Sequence, residues 1–180
     1  MRFKTLADAL VALKEDPTLT ELELHFVTIK PEEAKDLAAA IATNTTLLTL
    51  YLLKNNLGGE GAKYLSQALA TNTNITTLRL IDCKIRVEGA KDIAGALVTN
   101  TTISVLDLGE NNIGDEGAQA IAAMLVTNTT LTELGLGANG IKSAGVKSIA
   151  DALTKIALCS NSIYLIICLA MKGLHTLAKC

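Results

Sequence analysis

The sequence contains no tryptophan, and aromatic residues of all kinds make up only 3% of its 180 residues. Large rings usually supply much of the buried area of a core, so aliphatic residues must form this core instead. Histidine is also scarce. His25 and His175 are the only two, and neither has a second ligand at the spacing typical of a zinc site. The composition therefore predicts no metal site and no cofactor.

Neither sign of charge predominates, because acidic and basic residues nearly cancel to a formal net charge of -2 at pH 7. This small charge indicates neither nucleic acid nor an anionic membrane as a partner. The N-terminal segment contains Asp8 and lacks the apolar run of a secretory signal peptide. The apolar stretch 162–171 is too short to span a bilayer. We therefore predict a cytoplasmic protein without a membrane segment.

Cysteine is too sparse and too widely spaced for a disulfide framework or a zinc cluster, since the four cysteines are Cys83, Cys159, Cys168 and Cys180. No nucleophile elbow occurs, and no serine has a histidine and an acid placed to activate it. A G-x-G-x-x-G match runs from Gly135 to Gly140, but its first glycine lies inside an expected strand and no acidic residue follows at the required distance. We predict that the protein is not an enzyme.

The sequence does contain a repeat of 28 residues with the pattern Leu-x-x-Leu-x-Leu-x-x-Asn-x-Leu, whose copies start at Leu19, Leu47, Ile75, Ile103 and Leu131. Within each copy, apolar residues first recur in steps of two and then in steps of three and four. This change of period predicts a short strand followed by a helix. One such unit cannot bury its own apolar face, so successive units must stack and their strands must form a parallel sheet.

The ninth position of each repeat marks the point where the chain leaves the strand, and it holds Val27, Asn55, Cys83, Asn111 and Asn139. An asparagine there can satisfy backbone groups that are buried in the turn. Cys83 and Val27 cannot match that hydrogen bonding, so we expect their turns to be closed differently. We interpret Cys83 as structural rather than reactive, and His25, on the exposed strand face, as solvated.

Each helix is followed by a Thr-Asn-Thr triplet that we expect to stop the helix. Three of the four N-glycosylation sequons, at Asn44, Asn100 and Asn128, fall on this repeat position, whereas the fourth, at Asn74, does not. Because the repeat explains the three, we interpret them as structural.

The extended pattern Leu-x-x-Leu-x-Leu-x-x-(Asn/Cys)-x-(Leu/Ile)-Gly-x-x-Gly-Ala, best copied at Gly114–Ala118, resembles the ribonuclease-inhibitor-like subfamily of leucine-rich repeats. The resemblance covers roughly residues 5–155. It implies an α/β fold, a curved solenoid with a parallel β-sheet on the concave side and α-helices on the convex side. Such families provide protein-binding surfaces in inhibitors, immune-type receptors, GTPase-activating proteins and some pathogen effectors, and the fold alone does not select among these roles.

We predict a single leucine-rich repeat domain over residues 1–180. Residues 1–18 form an N-terminal capping helix whose own strand is missing, residues 19–158 form five repeats of 28 residues, and residues 159–180 form an irregular C-terminal capping segment. Two registers stay open after Leu153: a strand that restarts at Ile163, or one in which Leu165, Ile167 and Leu169 face inward. The apolar end is either covered by the last residues or free to pair with a second copy.

Three rows of residues vary between repeats while the leucines around them stay constant. Row 1 is Glu23, Tyr51, Arg79, Asp107 and Gly135; row 2 is His25, Leu53, Ile81, Gly109 and Gly137; row 3 is Phe26, Lys54, Asp82, Glu110 and Ala138. Tyrosine and arginine often anchor protein interfaces. We therefore predict a partner-binding patch on the concave strand face, formed by Glu23, Phe26, Tyr51, Leu53, Lys54, Arg79, Ile81, Asp82 and Asp107. The alternative is that these are ordinary exposed strand residues whose mixed charges favour solubility.

The function predicted from these features is a non-catalytic protein–protein interaction module that binds a protein partner of unknown identity, and neither nucleic acid nor membrane. One alternative is a GTPase-activating or other regulatory protein, in which Arg79 or Arg86 would stabilise the charge of phosphoryl transfer. Another is a pathogen effector of the same fold. A second copy of the chain, bound through the apolar C-terminal segment, is a further possible partner.

Overall fold

Seven strands and six helices alternate along the described residues, 1–159 and 166–168, of this computed structural model. The strands are β1 (Arg2–Phe3), β2 (Glu21–His25), β3 (Thr49–Leu53), β4 (Thr77–Ile81), β5 (Val105–Asp107), β6 (Glu133–Gly135) and β7 (Ile166–Cys168). The helices are α1 (Leu6–Glu15), α2 (Pro31–Thr43), α3 (Gly58–Leu69), α4 (Arg86–Leu97), α5 (Gly114–Leu125) and α6 (Ser143–Cys159). The strands form one sheet in chain order, and every pair is parallel. The predicted α/β solenoid is confirmed.

The register of the sheet advances by one repeat per strand from β2 to β6. Leu50 pairs with Leu78, Leu78 with Leu106, and Leu106 with Leu134. All four leucines are fully buried, because one face of the sheet packs against the helices. Since side chains alternate along a strand, the residues on either side of each leucine lie on the opposite face, where rows 1 and 2 were predicted.

The Gly-x-x-Gly-Ala part of the repeat controls how closely successive helices approach. A Cβ on the second glycine would lie closer to the alanine Cβ of the preceding helix than carbon atoms normally come. The distances are 3.1 Å for Gly61 to Ala34, 2.8 Å for Gly89 to Ala62, 3.2 Å for Gly117 to Ala90 and 3.0 Å for Gly145 to Ala118. Glycine is therefore needed at this position for packing rather than for its backbone conformation.

The prediction that helix α1 lacks its own strand is wrong. Residues 2 and 3 form β1, where Arg2 pairs with Glu23 and Phe3 with Leu24. The N-terminal ammonium donates to the Glu21 carbonyl at 2.7 Å, which extends this pairing to the first residue. The sequence pattern could not show β1, because two residues are too few for an alternation and Thr5 follows almost at once as the cap of α1.

The last strand restarts later than the repeat requires. In β7, Ile167 pairs with Leu134, 33 residues further along the chain instead of 28. This register aligns Ile167 with Leu134, as in the predicted alternative that gives residue 167 the position of a core leucine. The other predictions for residues 159–180, including the covered or self-pairing end and the place of His175, lie outside the described residues. None of the helices within the described part of the chain combines the length and hydrophobicity needed to cross a bilayer.

Candidate partner-binding face

The strands bring rows 1 and 2 together on the face of the sheet opposite the buried leucines. In row 1, Glu23 pairs with Tyr51, Tyr51 with Arg79, Arg79 with Asp107, and Asp107 with Gly135, as the repeat predicts. In row 2, His25 pairs with Leu53 and Leu53 with Ile81. All the side chains named here are partly exposed. The structure therefore places most of the predicted patch on one continuous surface.

Tyr51 is the centre of a cluster that we call the Tyr51 cluster: Glu23, His25, Tyr51 and Arg79. The His25 and Tyr51 rings meet edge to face, with their centroids 4.6 Å apart. The Arg79 guanidinium carbon lies 6.0 Å from the centroid of the Tyr51 ring, at the limit of a cation–π contact. Cross-strand contacts of this kind stabilise a sheet modestly, so they order the side chains without being needed for the fold.

His25 is less exposed than predicted, since only 12% of its side chain is accessible. The interpretation of a solvated histidine is therefore wrong, because a strand-face position does not show that the neighbouring Tyr51 ring covers it. Its Nε2 lies 3.6 Å from a Glu23 carboxylate oxygen, too far for a hydrogen bond. His25 Nε2 and Arg79 Nε are the two buried side-chain atoms without a hydrogen-bond partner in the described part of the protein.

Row 3 lies just past the strand ends, and its residues have left-handed backbone conformations. Their φ angles are 60° at Phe26, 53° at Lys54, 50° at Asp82, 61° at Glu110 and 55° at Ala138. Non-glycine residues rarely adopt this conformation. In the first four of these residues the backbone N–H donates to the next repeat, as from Lys54 to the Ile81 carbonyl at 2.9 Å. The sequence gives no sign of it, because no glycine marks the position.

The backbone conformation of row 3 turns its side chains outward. Phe26 is 61% exposed, a large exposed fraction for a phenylalanine. The Lys54 ammonium lies 5.5 Å from the centroid of the Phe26 ring, within the range of a cation–π contact. Phe26 is therefore held in an exposed position next to the Tyr51 cluster, as an anchor for an interface would be.

The same face changes character towards β6, where a hollow of about 310 Å³ replaces the large side chains. We call it the glycine-floored hollow. Its lining residues are Ile81, Asp107, Gly109, Glu110, Gly135, Gly137 and Ala138. The Asp107 carboxylate lies directly over Gly135, since a Cβ added there would be 2.5 Å from Asp107 Oδ1. The sequence predicted Asp107 as one residue of the patch and did not predict the hollow beside it.

A ladder of side-chain amides closes the turns next to this face. Asn111 Oδ1 accepts hydrogen bonds from the backbone N–H groups of Cys83 at 2.9 Å and Ile85 at 3.3 Å. Its amide group donates to the carbonyl of Leu80, 31 residues earlier, and to that of Gly109. Each asparagine thus joins its own turn to the turn of the preceding repeat, which confirms the predicted role.

Cys83 imitates the asparagine in part. Its thiol lies 3.4 Å from the Leu52 carbonyl, which is again 31 residues earlier, so the prediction that it cannot match the amide is wrong for this contact. The turn that Cys83 faces does differ, however. Lys84 and Asn112 are left-handed, whereas their counterpart Asn56 is not among the described residues with positive φ. Burial raises the pKa of the Cys83 thiol to about 12, which makes it a structural rather than a reactive group.

A second ladder, which sequence reasoning missed, runs through the loops at the other end of the strands. It is formed by the asparagines of the Thr-Asn-Thr triplets: Asn44, Asn72, Asn100 and Asn128. The Asn100 amide donates to the Leu69 carbonyl at 2.9 Å, and its oxygen accepts from the N–H of Ile103 at 2.9 Å. The three sequons at this position are therefore structural, as interpreted. The signal was the constant 28-residue spacing of these asparagines.

Two other kinds of site were considered in the described part of the chain, a metal-binding cluster and a dinucleotide-binding motif. In residues 1–157, whose side chains the structure describes, no three side chains of histidine, cysteine, aspartate or glutamate are grouped so that they could hold a metal ion. The G-x-G-x-x-G stretch has its first glycine in β6, and helix α6 begins only at Ser143. That arrangement does not place three glycines at the start of a helix, which the dinucleotide motif requires.

A family model described as Leucine Rich repeat matches residues 43–66, 71–94, 99–122 and 127–150. These matches cover more than half of the sequence. The chain belongs to the leucine-rich repeat family. Their spacing reproduces the 28-residue period, in agreement with the ribonuclease-inhibitor-like subfamily. No curated protein matches the sequence significantly.

Two solved leucine-rich repeat structures resemble the fold. One is described as leiomodin-1 actin-binding site 2, with a TM-score of 0.66 and 23% identity, covering 84% of this chain and 89% of that one. The other is the tropomodulin C-terminal domain of Caenorhabditis elegans, with a TM-score of 0.61 and 12% identity, covering 86% of this chain and 94% of that one. At these identities the likeness is one of fold.

Proposed function

We propose that this leucine-rich repeat chain is a non-catalytic protein-interaction module that binds a partner protein through the concave strand face. The observation that carries the proposal is the Tyr51 cluster, with Phe26 and Lys54 beside it. These side chains are large, partly exposed and held by one another, yet they lie outside the leucine core. Interface anchors have these properties, and tyrosine and arginine are prominent among them.

The unmet hydrogen bonds of the cluster support the same proposal. Arg79 Nε and His25 Nε2 are shielded from solvent but have no partner. A buried polar group without a hydrogen bond costs about 1–3 kcal/mol, and native proteins rarely leave one so. Because Arg79 Nε has almost no accessible surface, its side chain would have to turn on binding so that Nε meets an acceptor of the partner, and this cost would then be recovered. We therefore expect acceptor groups, such as backbone carbonyls or carboxylates, opposite Arg79.

Actin is the first partner to test, because the description of the leiomodin-1 structure names an actin-binding site. The shared fold does not carry the identity of the partner, so affinity capture from a lysate should accompany the actin assay. A cytoplasmic location and the absence of nucleic acid among the partners stay predictions.

The test compares the wild-type chain with the double variant Tyr51→Ala/Arg79→Ala. We expect the double variant to keep its far-UV circular dichroism and to bind a captured partner at least about tenfold more weakly, as loss of interface anchors does. Tyr64→Ala is the matched control, because it removes a partly buried tyrosine from helix α3 on the convex side. We expect the control to bind normally.

Unchanged affinity of the double variant for a captured partner would refute the concave-face proposal. The regulatory alternative has its own readout, GTP hydrolysis by a panel of small GTPases. Stimulation that disappears in an Arg79→Ala or Arg86→Ala variant would favour catalysis in trans over simple binding.

A further inference from the structure

We propose that the glycine-floored hollow binds an arginine side chain of the partner. This inference rests on the proposed function, because it assigns a chemistry to one part of the same face. It concerns the β5 and β6 part of the face, next to the Tyr51 cluster rather than within it. Three properties carry it: the shape of the hollow, its charge, and the lack of any internal group that satisfies that charge.

The shape arises because two row positions are glycines, and the Asp107 carboxylate occupies the place where the side chain of residue 135 would lie. In row 2, Gly109 follows Leu53 and Ile81, and in row 1, Gly135 follows Tyr51 and Arg79. Neither glycine has a positive φ, so the backbone does not require glycine there. A Cβ on Gly109 would lie 3.3 Å from Asp107 Oδ1, which is a tight contact, and one on Gly135 would lie 2.5 Å from the same atom. The hollow is therefore a low part of the strand surface along which the Asp107 carboxylate lies, and the two glycines make room for that carboxylate.

The charge on the β5 and β6 segments that form most of the hollow is of one sign. Residues 104–110 and 132–138 contain Asp107, Glu110 and Glu133 but no lysine, arginine or histidine. Asp107 Oδ1 accepts one hydrogen bond, from the Gly109 N–H at 2.9 Å. Within the described residues, the four ion pairs all lie elsewhere and involve neither Asp107 nor Glu110. A partly enclosed carboxylate without a counter-ion attracts a cation more strongly than one in open water does.

Arg79 is the internal group that could have supplied the counter-ion, since it pairs with Asp107 across the sheet. Its guanidinium points towards Tyr51 instead. The Asp107 carboxylate points away from Arg79, over Gly135. The two neighbours thus face different parts of the partner surface, and the hollow stays open to an external cation.

Arginine fits this space better than lysine. Its planar guanidinium can lie flat on a floor of backbone and donate two parallel hydrogen bonds to one carboxylate. It is also less strongly hydrated than an ammonium group, so the free-energy cost of removing its water on binding in the hollow is smaller. Ile81 on one wall offers an apolar surface for the methylene stem.

The experiment titrates the full-length, isotope-labelled chain with the blocked tripeptide acetyl-Gly-Arg-Gly-amide and follows backbone amide signals by NMR. The same peptide with citrulline in place of arginine is the control for shape, and the lysine peptide is the control for charge. We expect saturable shifts at Gly109, Gly135 and Gly137 with arginine, weaker shifts with lysine, and none with citrulline.

Two variants test the residues of the hollow. Asp107→Asn keeps the acceptor for the Gly109 N–H but removes the charge, and should weaken arginine binding about tenfold. Gly109→Ala places a methyl group in the hollow and should weaken it similarly. Asp36→Asn, a change of the same type at an exposed position on helix α2, away from this face, should leave the affinity unchanged.

Three results would overturn this proposal: no saturable shift at the hollow with arginine, equal shifts with citrulline, or unchanged affinity in Asp107→Asn. The peptide titration needs no partner protein. A failure here therefore leaves the partner-binding test of Tyr51 and Arg79 untouched, and the two outcomes can be told apart.

Discussion

Replacing Asn111 by alanine should destabilise the protein far more than an average polar substitution. Asn111 is 0% exposed and joins two repeats through both ends of its amide. Its oxygen accepts two backbone N–H groups, those of Cys83 and Ile85, and its nitrogen donates to backbone carbonyls that include that of Leu80. Alanine can form none of these hydrogen bonds, and the backbone groups that it leaves without a partner are buried.

The expected cost follows from counting the groups that lose a partner. A net hydrogen bond contributes about 1 kcal/mol, and a stranded buried group costs about 1–3 kcal/mol. Two N–H groups and at least one carbonyl lose their hydrogen-bond partner. We therefore expect Asn111→Ala to lower the free energy of unfolding by about 3–5 kcal/mol. This is a large part of the roughly 5–15 kcal/mol that a domain has in total.

Asn111→Cys provides a graded comparison. The thiol of Cys83 already reaches the carbonyl 31 residues earlier, so a cysteine at 111 should recover that contact but not the acceptor for the two N–H groups. We expect about half the cost of the alanine variant. Asn74→Ala is the control, because the Asn74 side chain is partly exposed and makes no hydrogen bond within the described residues. It should cost less than about 0.5 kcal/mol.

Urea unfolding followed by far-UV circular dichroism measures these differences, since the chain has no tryptophan to report by fluorescence. The dependence of the free energy on urea should stay the same in all variants, as expected for cooperative unfolding of one domain. A loss below about 1 kcal/mol for Asn111→Ala, or a cysteine variant no better than alanine, would refute the reasoning.

Three further predictions concern other parts of the scaffold. Gly114→Ala should destabilise the protein by about 1 kcal/mol, because Gly114 has a φ of 60°. Gly95→Ala, where a methyl group on helix α4 would meet open space, should stabilise the protein by up to about 1 kcal/mol. The midpoint of urea unfolding measures both effects. Asn100→Ala should cost about 3 kcal/mol in the same assay and Thr101→Ala less than 0.5 kcal/mol, because only Asn100 bonds the buried loop ladder. Cys83 should resist alkylation in the folded protein. Because its folded pKa is raised from 9.0 to about 12, its stabilising effect is complete below pH 9.0 and declines towards pH 12, a decline that Cys83→Ala should lack.

The repeat made most of the fold predictable because one spacing carries several independent signals. The step from Leu50 to Leu78 to Leu106 predicts the strand pairing and the burial of one face together. The rows on the opposite face follow by alternation alone. The asparagines at the strand ends follow from the need to satisfy buried backbone groups. None of these inferences requires knowledge of which side chains touch.

The predictions that failed depended on contacts or conformations without a periodic signal. The two residues of β1 were too short to show an alternation, and His25 is covered by a ring from the next strand rather than by its own neighbours. The left-handed backbone of row 3 was missed because residues such as Phe26 do not mark it as glycine would. The glycine-floored hollow is a further case, since an absent side chain indicates open space only when the surrounding walls are known.

The residues that close the turns are not the residues that form the face. This separation explains how one face can present both a basic and an acidic side chain to a partner. The asparagine ladders satisfy the turns from outside the face, so changes in rows 1 and 2 leave the hydrogen bonds of the ladders intact. Row 1 can thus present Arg79 on one strand and Asp107 on the next. Neighbouring strands lie about 4.8 Å apart, which is the length of one or two residues of an extended chain. A segment that satisfies both side chains would need an acceptor and an arginine within about two or three residues of each other. Such a segment could cross the strands of this face in an extended conformation, and a partner lacking this pairing would satisfy only one of the two.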